Sequence, residues 1–275
     1  MRKLKKPSLE YSITTSLYLD EVIEKREDGD FKDFLLLNKT EWVEESKSYN
    51  TVLNSSAILD TTSLLDFTTY KDNFAYLYNK ASNERSFIPK LRTKYKTSLC
   101  PYCSSPSCGT LDHYYPQKKF PQYAIIPNNL IPSCHRCNKI KGEIFPLLND
   151  ERIINPYFDD FLDNIIFDLY FYLDNNVLKF DLLPNHNLTT HQYNIVEFHI
   201  EKLNLKEFHT DSILLEFDKI KELVGLLKDD GKSNDEILYM LNKLVLSGLQ
   251  KQKTYDWGII IMNSIIAHPA NFNIL

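Results

Sequence analysis

Five cysteines stand in one short window of this 275-residue chain, Cys100, Cys103, Cys108, Cys134 and Cys137, and none stands outside it. Four of them form two C-x2-C knuckles, Cys100-Pro101-Tyr102-Cys103 and Cys134-His135-Arg136-Cys137, with 30 residues between. That spacing lets two tight turns converge on one tetrahedral Zn2+ through four thiolates, a closed site of the structural kind. A secreted disulfide scaffold would spread its cysteines over a smaller chain. The clustering therefore points to thiolates held by metal in a reducing cytosol, and a cytoplasmic location is expected. Cys108 is the spare, either an alternative ligand or a small buried residue. The second role is preferred, because Cys103 already completes a knuckle.

Between and behind the knuckles lie three further clusters: Leu111-Asp112-His113-Tyr114-Tyr115-Pro116, then Asn128-Asn129-Leu130-Ile131-Pro132, then Asn138-Lys139-Ile140-Lys141-Gly142. Taken singly, His113 is an ordinary half-buried histidine, Asn129 a turn residue soon after Pro127, and Asn138 a polar residue on a helix. Two knuckles alone would suit a zinc-ribbon-like binding module. The joint order and spacing change the balance. Asp-His-x-x-Pro, then Asn-Leu shortly before C-x2-C, then Asn directly after it, resembles the motif of the HNH nucleases, also called ββα-metal or His-Me finger nucleases, over roughly Cys100 to Gly142.

The resemblance implies a two-stranded hairpin and one helix around a single divalent cation. It also implies roles: His113 as general base, Asp112 and Asn138 as ligands of the catalytic ion, and Asn129 as the residue that holds the connecting loop and orients the His113 ring. The residue types suit phosphodiester hydrolysis. A neutral imidazole near pH 7 can take the proton of an attacking water, and a hard ion with open positions can neutralise charge on phosphate oxygens. The third motif position is often His in the family. Asn138 there offers an amide oxygen, a poorer ligand for softer metals, so Mg2+ or Mn2+ is favoured for catalysis. Lys118, Lys119, Arg136, Lys139 and Lys141 are expected to contact the phosphates of DNA without reading its sequence. Tyr114, Tyr115 and Tyr123 could stack on bases, but packing of a thin zinc module is the preferred role.

The net charge of −5 looks wrong for a DNA enzyme until it is divided along the chain. From Arg85 to Glu143 there are ten basic residues against two acids, so the acidity belongs to the flanks. A basic centre in an acidic protein is a footprint for local phosphate contact.

These residues need elements to position them. The window from Pro89 to Pro146 holds eight of the 12 prolines and should be loop-rich, with a strand around Thr110 to Tyr114 and a helix from near Ser133 that ends at Gly142. Upstream, Phe31 to Leu37 and Asp72 to Asn79 suggest short helices, with Thr40 and Asp72 as caps. Downstream, Ile165 to Leu173 and Val177 to Leu183, separated by Asp174-Asn175-Asn176, predict a hairpin. Asn194 to Leu203, Thr210 to Leu227 and Asn234 to Leu249 predict helices, the last two as an antiparallel pair. The apolar run Gly258 to Ala267 is too short and too interrupted to span a membrane and is expected to be a buried helix or strand. Ser8 to Glu24 forms no apolar stretch of the secretory-signal kind.

The expected fold class is thus α+β and mostly helical, with a central ββα-metal HNH module held by a four-cysteine zinc site. Its expected divisions are an N-terminal helical region (1–88), the nuclease module with its knuckles (89–150), and a C-terminal hairpin plus helical region (151–275). The expected function is a metal-dependent DNA endonuclease. The alternative is a catalytically silent nucleic-acid-binding or protein-interaction adaptor that keeps the zinc module. HNH domains with added helices resemble bacterial restriction or anti-phage effectors, some of which work with an ATPase partner. His186, His191, His199 and His209 show no ligand spacing and are assigned to helix surfaces. Asp159-Asp160 and Asp229-Asp230 are assigned to solvated faces.

Overall fold

The computed structural model describes residues 1, 3–7, 19–54, 67–80, 87–106, 108–251, 253–268 and 271. Ser8 to Tyr18 and Arg85 therefore lie outside the described residues. The chain is an α+β protein, mostly helical, with two small hairpins and a cluster of four cysteines among the described residues. It divides into two compact units, one of Lys3–Asp159 and one of Asp160–Leu275 with Met1–Arg2. None of the described helices is long and apolar enough to cross a membrane.

The Lys3–Asp159 unit contains helices α1 (Asp30–Asn54), α2 (Lys71–Lys80) and α3 (Phe87–Tyr95), the antiparallel strands β1 (Thr110–His113) and β2 (Leu130–Ser133), and helix α4 (His135–Lys141). Phe31 to Leu37 is not a short helix but the first turns of a 25-residue one, and Thr40 lies in its interior rather than at a cap. Its inward face is set by Phe31, Leu35, Trp42, Tyr49 and Leu53, all buried, at spacings of four and seven that return to one side of a helix. The polar residues between them hide that stripe in a short window. Cys134 caps α4 through its Sγ, which accepts from the Cys137 N–H, and Gly142 ends the helix at φ 48, where a β-carbon would be strained.

In the Asp160–Leu275 unit, β3 (Phe167–Asp174) and β4 (Val177–Pro184) pair antiparallel. The turn between them is Asn175-Asn176, both at positive φ (51 and 62), the backbone that a two-residue hairpin needs and that Asn tolerates. Helices α5 (Thr190–Lys202), α6 (Leu205–Asp229), α7 (Asn234–Gln250) and α8 (Trp257–Ala267) follow. Capping boxes at Thr189/Gln192 and Ser233/Glu236 start α5 and α7. The apolar run is helical: it forms α8, which packs on α6, α7 and β3 and so mediates most of the expected pairing of α6 with α7. Gly248 allows the close approach, since a methyl there would overlap Ile259. The outer edge of β3 is satisfied by side chains: Ser264 Oγ accepts from the Leu169 N–H at 3.0 Å and Asn271 Oδ1 from the Phe171 N–H at 2.8 Å.

Three surface assignments are corrected. His199 and His209 are buried, the latter packed against Trp257 with ring centroids 4.9 Å apart. Asp159 is buried too, in a bidentate pair with Arg152 at 2.6 and 2.7 Å, because a fork of guanidinium N–H groups can satisfy a carboxylate away from water.

Candidate functional site

The two knuckles bring Cys100, Cys103, Cys134 and Cys137 together, all buried, with their sulfurs within 4.8 Å of one another. Cys103 Sγ and Cys134 Sγ are 3.7 Å apart. Zinc–sulfur bonds of about 2.3 Å at tetrahedral angles place sulfurs about 3.8 Å apart, so this donor set fits Zn2+. Backbone N–H groups point at the sulfurs, from Cys134 to Cys100 Sγ and from Cys137 to Cys134 Sγ, both at 3.4 Å. Hydrogen bonding from Cys100 draws Cys134 down to a pKa of about 7, whereas the neighbouring cysteines push Cys100 and Cys137 far above the ordinary thiol range. One thiolate forms readily, and a cation is what would stabilise the rest. Cys108 is buried but is not among the converging sulfurs; its Sγ faces the Leu99 carbonyl at 3.5 Å.

Beside this cluster, β1 ends in Asp112-His113 and α4 packs against it. Asp112 is buried, with Oδ2 accepting from the Tyr102 hydroxyl at 2.8 Å and lying 3.1 Å from Lys141 Nζ. Tyr102 thus ties the first knuckle to the acid, a link that the motif spacing did not announce. Asn138, on α4, directs its Nδ2 at the Leu111 carbonyl at 3.5 Å. His113 is 8% exposed, beneath the edge of the Tyr78 ring at 4.5 Å. Its Nε2 lies 2.9 Å from the Ala124 carbonyl, which can only accept. Nε2 therefore carries the proton, and Nδ1 is left with its lone pair. Burial lowers the His113 pKa to about 4, against smaller upward contributions from the Ala124 bond and Asp112, so the ring is neutral at pH 7.

Asn129 is buried and uses its whole amide. Oδ1 accepts from the Tyr115 N–H (2.7 Å) and the Tyr49 hydroxyl (2.9 Å), while Nδ2 donates to the carbonyls of Tyr123 (2.9 Å) and Tyr115 (3.1 Å). It closes the 114–129 connection on itself, next to the Ala124 carbonyl that holds His113. From α1, Trp42 Nε1 adds a 2.7 Å bond to the Gln122 carbonyl. Tyr49 and Trp42 lie some eighty positions from their partners, and no local signal marks them.

Lys118, Lys119 and Lys139 are exposed and Arg136 half-exposed; Lys118 pairs with Glu143 at 3.3 Å and Lys119 lies over the Phe145 ring. Lys141, expected among the phosphate contacts, is 1% exposed, and its ammonium is held by Asp112 and by the His113 carbonyl at 2.8 Å. Tyr114, Tyr115 and Tyr123 are all buried.

The neutral His113 has a consequence for stability. Its folded pKa of about 4 lies below the unfolded value of 6.5, so the contribution is complete above pH 6.5 and is lost as pH falls through 4. A difference of about 2.5 units corresponds to about 3 kcal/mol. Chemical denaturation at pH 7 and pH 4 should show wild type losing about 3 kcal/mol more than His113→Gln. Equal losses would mean that the ring is not held neutral by burial.

The fold and cluster define an α+β protein with a buried four-cysteine group consistent with a zinc site. No family model matches the chain, and no solved structure matches it. Over 62 residues the chain is 36% identical to protein ea31 of Escherichia phage lambda, a distant and partial similarity. The match takes in 22% of this chain and 21% of ea31, so the shared stretch is about a fifth of either protein.

Proposed function

We propose that this chain is an HNH endonuclease that hydrolyses phosphodiester bonds of DNA with a divalent ion. The observation that carries the proposal is the state of His113: neutral, with Nε2–H donated to the Ala124 carbonyl and Nδ1 free to take a proton, at the end of a strand whose preceding residue is Asp112. Asn138 approaches the same strand from α4. Asp112 and Asn138 are oxygen donors, and two protein ligands suit Mg2+ or Mn2+, which keep most of their shell for water and phosphate. Asp112 already attracts a cation, Lys141, and would share its carboxylate between the ammonium and the metal. When bound, the ion supplies charge neutralisation on the phosphate and the leaving oxygen. His113 Nδ1 takes the proton from the attacking water. Asn129 fixes the loop that bears Ala124 and so sets the direction of the ring. Lys118, Lys119, Arg136 and Lys139 hold the phosphate backbone.

A second reading, a catalytically silent adaptor, draws on the Lys141–Asp112 pair and on Tyr78 over His113, which together occupy the acid and cover the base. Incubating supercoiled plasmid with the purified protein and Mg2+, Mn2+ or EDTA separates the two. Nicking that needs Mg2+ or Mn2+ and stops in EDTA is the expected result; no cleavage under any condition would favour the adaptor. The proposal extends to a role in bacterial defence, with a regulatory partner such as an ATPase. Cells that resist phage equally well without the gene would remove that extension.

A further inference from the structure

The histidines of the Asp160–Leu275 unit contain an arrangement that sequence spacing concealed. Asp168 on β3 is buried, and two imidazoles from distant parts of the unit turn ring nitrogens toward its carboxylate. His186 comes from the loop just after β4, with Nδ1 2.7 Å from Asp168 Oδ2; His268 comes from the C-terminal end of α8, with Nε2 3.5 Å from the same oxygen. The three donor atoms lie within 4.8 Å of one another.

The geometry points to a second metal site here, for Zn2+ held by Asp168, His186 and His268 with a fourth position open to water. Two imidazoles and a carboxylate are a donor set that zinc takes, and bonds of about 2.0 to 2.1 Å at tetrahedral angles place ligand atoms about 3.3 Å apart. The Asp168–His268 separation is already close to that, and His186 must withdraw by about half an ångström from hydrogen-bond to ligand spacing. It is free to do so, because its side chain is 47% exposed and that of His268 34%. The same exposure gives the ion a route in from solvent.

Surrounding groups support the ligands as outer partners of a metal do. Asn185 Nδ2 donates to Asp168 Oδ1 at 2.8 Å and the His186 backbone N–H to Oδ2 at 2.9 Å, which together fix the carboxylate with Oδ2 facing the two imidazoles. The far nitrogen of His186 meets the Asn187 amide at 3.0 Å. With zinc on Nδ1, Nε2 keeps the ring proton and donates it to the Asn187 oxygen, an amide orientation related to the present one by a flip. The bound ion would tie the end of α8 to the hairpin.

The test uses the full chain equilibrated with Zn2+ and freed of loose metal, with zinc counted per chain. Wild type is expected to hold one zinc more than either His186→Gln or His268→Gln, with affinity at this site falling at least about tenfold in each, since changes around metal ligands alone cost about ten- to a hundredfold. Both side chains are part-exposed, and circular dichroism verifies that the variants fold. Because the result is a difference of one, it stands whatever the cysteine cluster or the nuclease proposal proves to be. Co2+ gives a second readout: the additional ion should lack thiolate charge-transfer absorption. Equal zinc content in wild type and both variants, or an additional Co2+ with thiolate bands, would overturn the site.

Discussion

His113→Ala is expected to lower the rate of metal-dependent plasmid nicking by at least about a hundredfold, within the range of about 10²–10⁴ that a positioned general base contributes. The reason is specific to the atom. With Nε2–H committed to the Ala124 carbonyl at 2.9 Å, Nδ1 is the base in the proposed mechanism, and a methyl group offers no substitute. The substitution also leaves a buried carbonyl without its donor, at about 1–3 kcal/mol, so rates are to be compared at a temperature where circular dichroism shows both proteins folded. The pH profile gives an independent check. A ring with its pKa lowered to about 4 keeps its base form well below the ordinary histidine range. Cleavage by wild type should therefore hold its rate from pH 7 to about pH 5 before falling, rather than halving near the unperturbed histidine value of about 6.5. A His113→Ala protein that cuts as fast as wild type would end the mechanism.

The second large effect is expected at the knuckles. Cys100→Ser or Cys137→Ser should remove the zinc held by the four sulfurs and collapse the ordered structure around β1, β2 and α4, whereas Cys108→Ser should retain both. Small zinc modules draw their folding free energy from thiolate coordination, with about 10–16 kcal/mol of apparent binding energy in isolated fingers, and a lost ligand gives up a large share of that. The loss should reach the residues of the proposed nuclease site, because Tyr102, inside the first knuckle, holds Asp112, and Cys134 starts the helix that carries Asn138 and Lys141. Zinc content and near-ultraviolet circular dichroism of the three variants measure it. Unchanged zinc in Cys100→Ser and Cys137→Ser would show that the four sulfurs do not hold it.

Much of the frame was legible along the chain because its signals are local. A C-x2-C turn, the Asn175-Asn176 hairpin turn and a glycine at the end of α4 act over four or five residues, and the elements they bound lie close to where spacing placed them, whereas the capping box at Thr189 starts α5 four residues before the expected Asn194. The long α1 was harder, since its buried positions are separated by polar residues and only its packing against Phe67, Tyr70 and Phe74 near the start of α2 and against the 114–129 connection selects the inner face.

Sequence by itself determined the four-cysteine donor set and the mostly helical α+β class with its β3–β4 hairpin, because these rest on residue type at short range, whereas the β1–β2 pair closes over the 16-residue 114–129 connection and was implied only by the motif resemblance. Tertiary structure alone decided which charged and polar groups are withdrawn from water. Lys141 follows the same exposed-looking pattern as Lys139, yet two residues further on, about 200° around the helix, its ammonium is turned inward to Asp112. Asp159 is buried by Arg152, and Asp168 gathers histidines from positions 186 and 268. Such pairings join segments that meet only after the chain has folded, and burial then strengthens them by removing competing water.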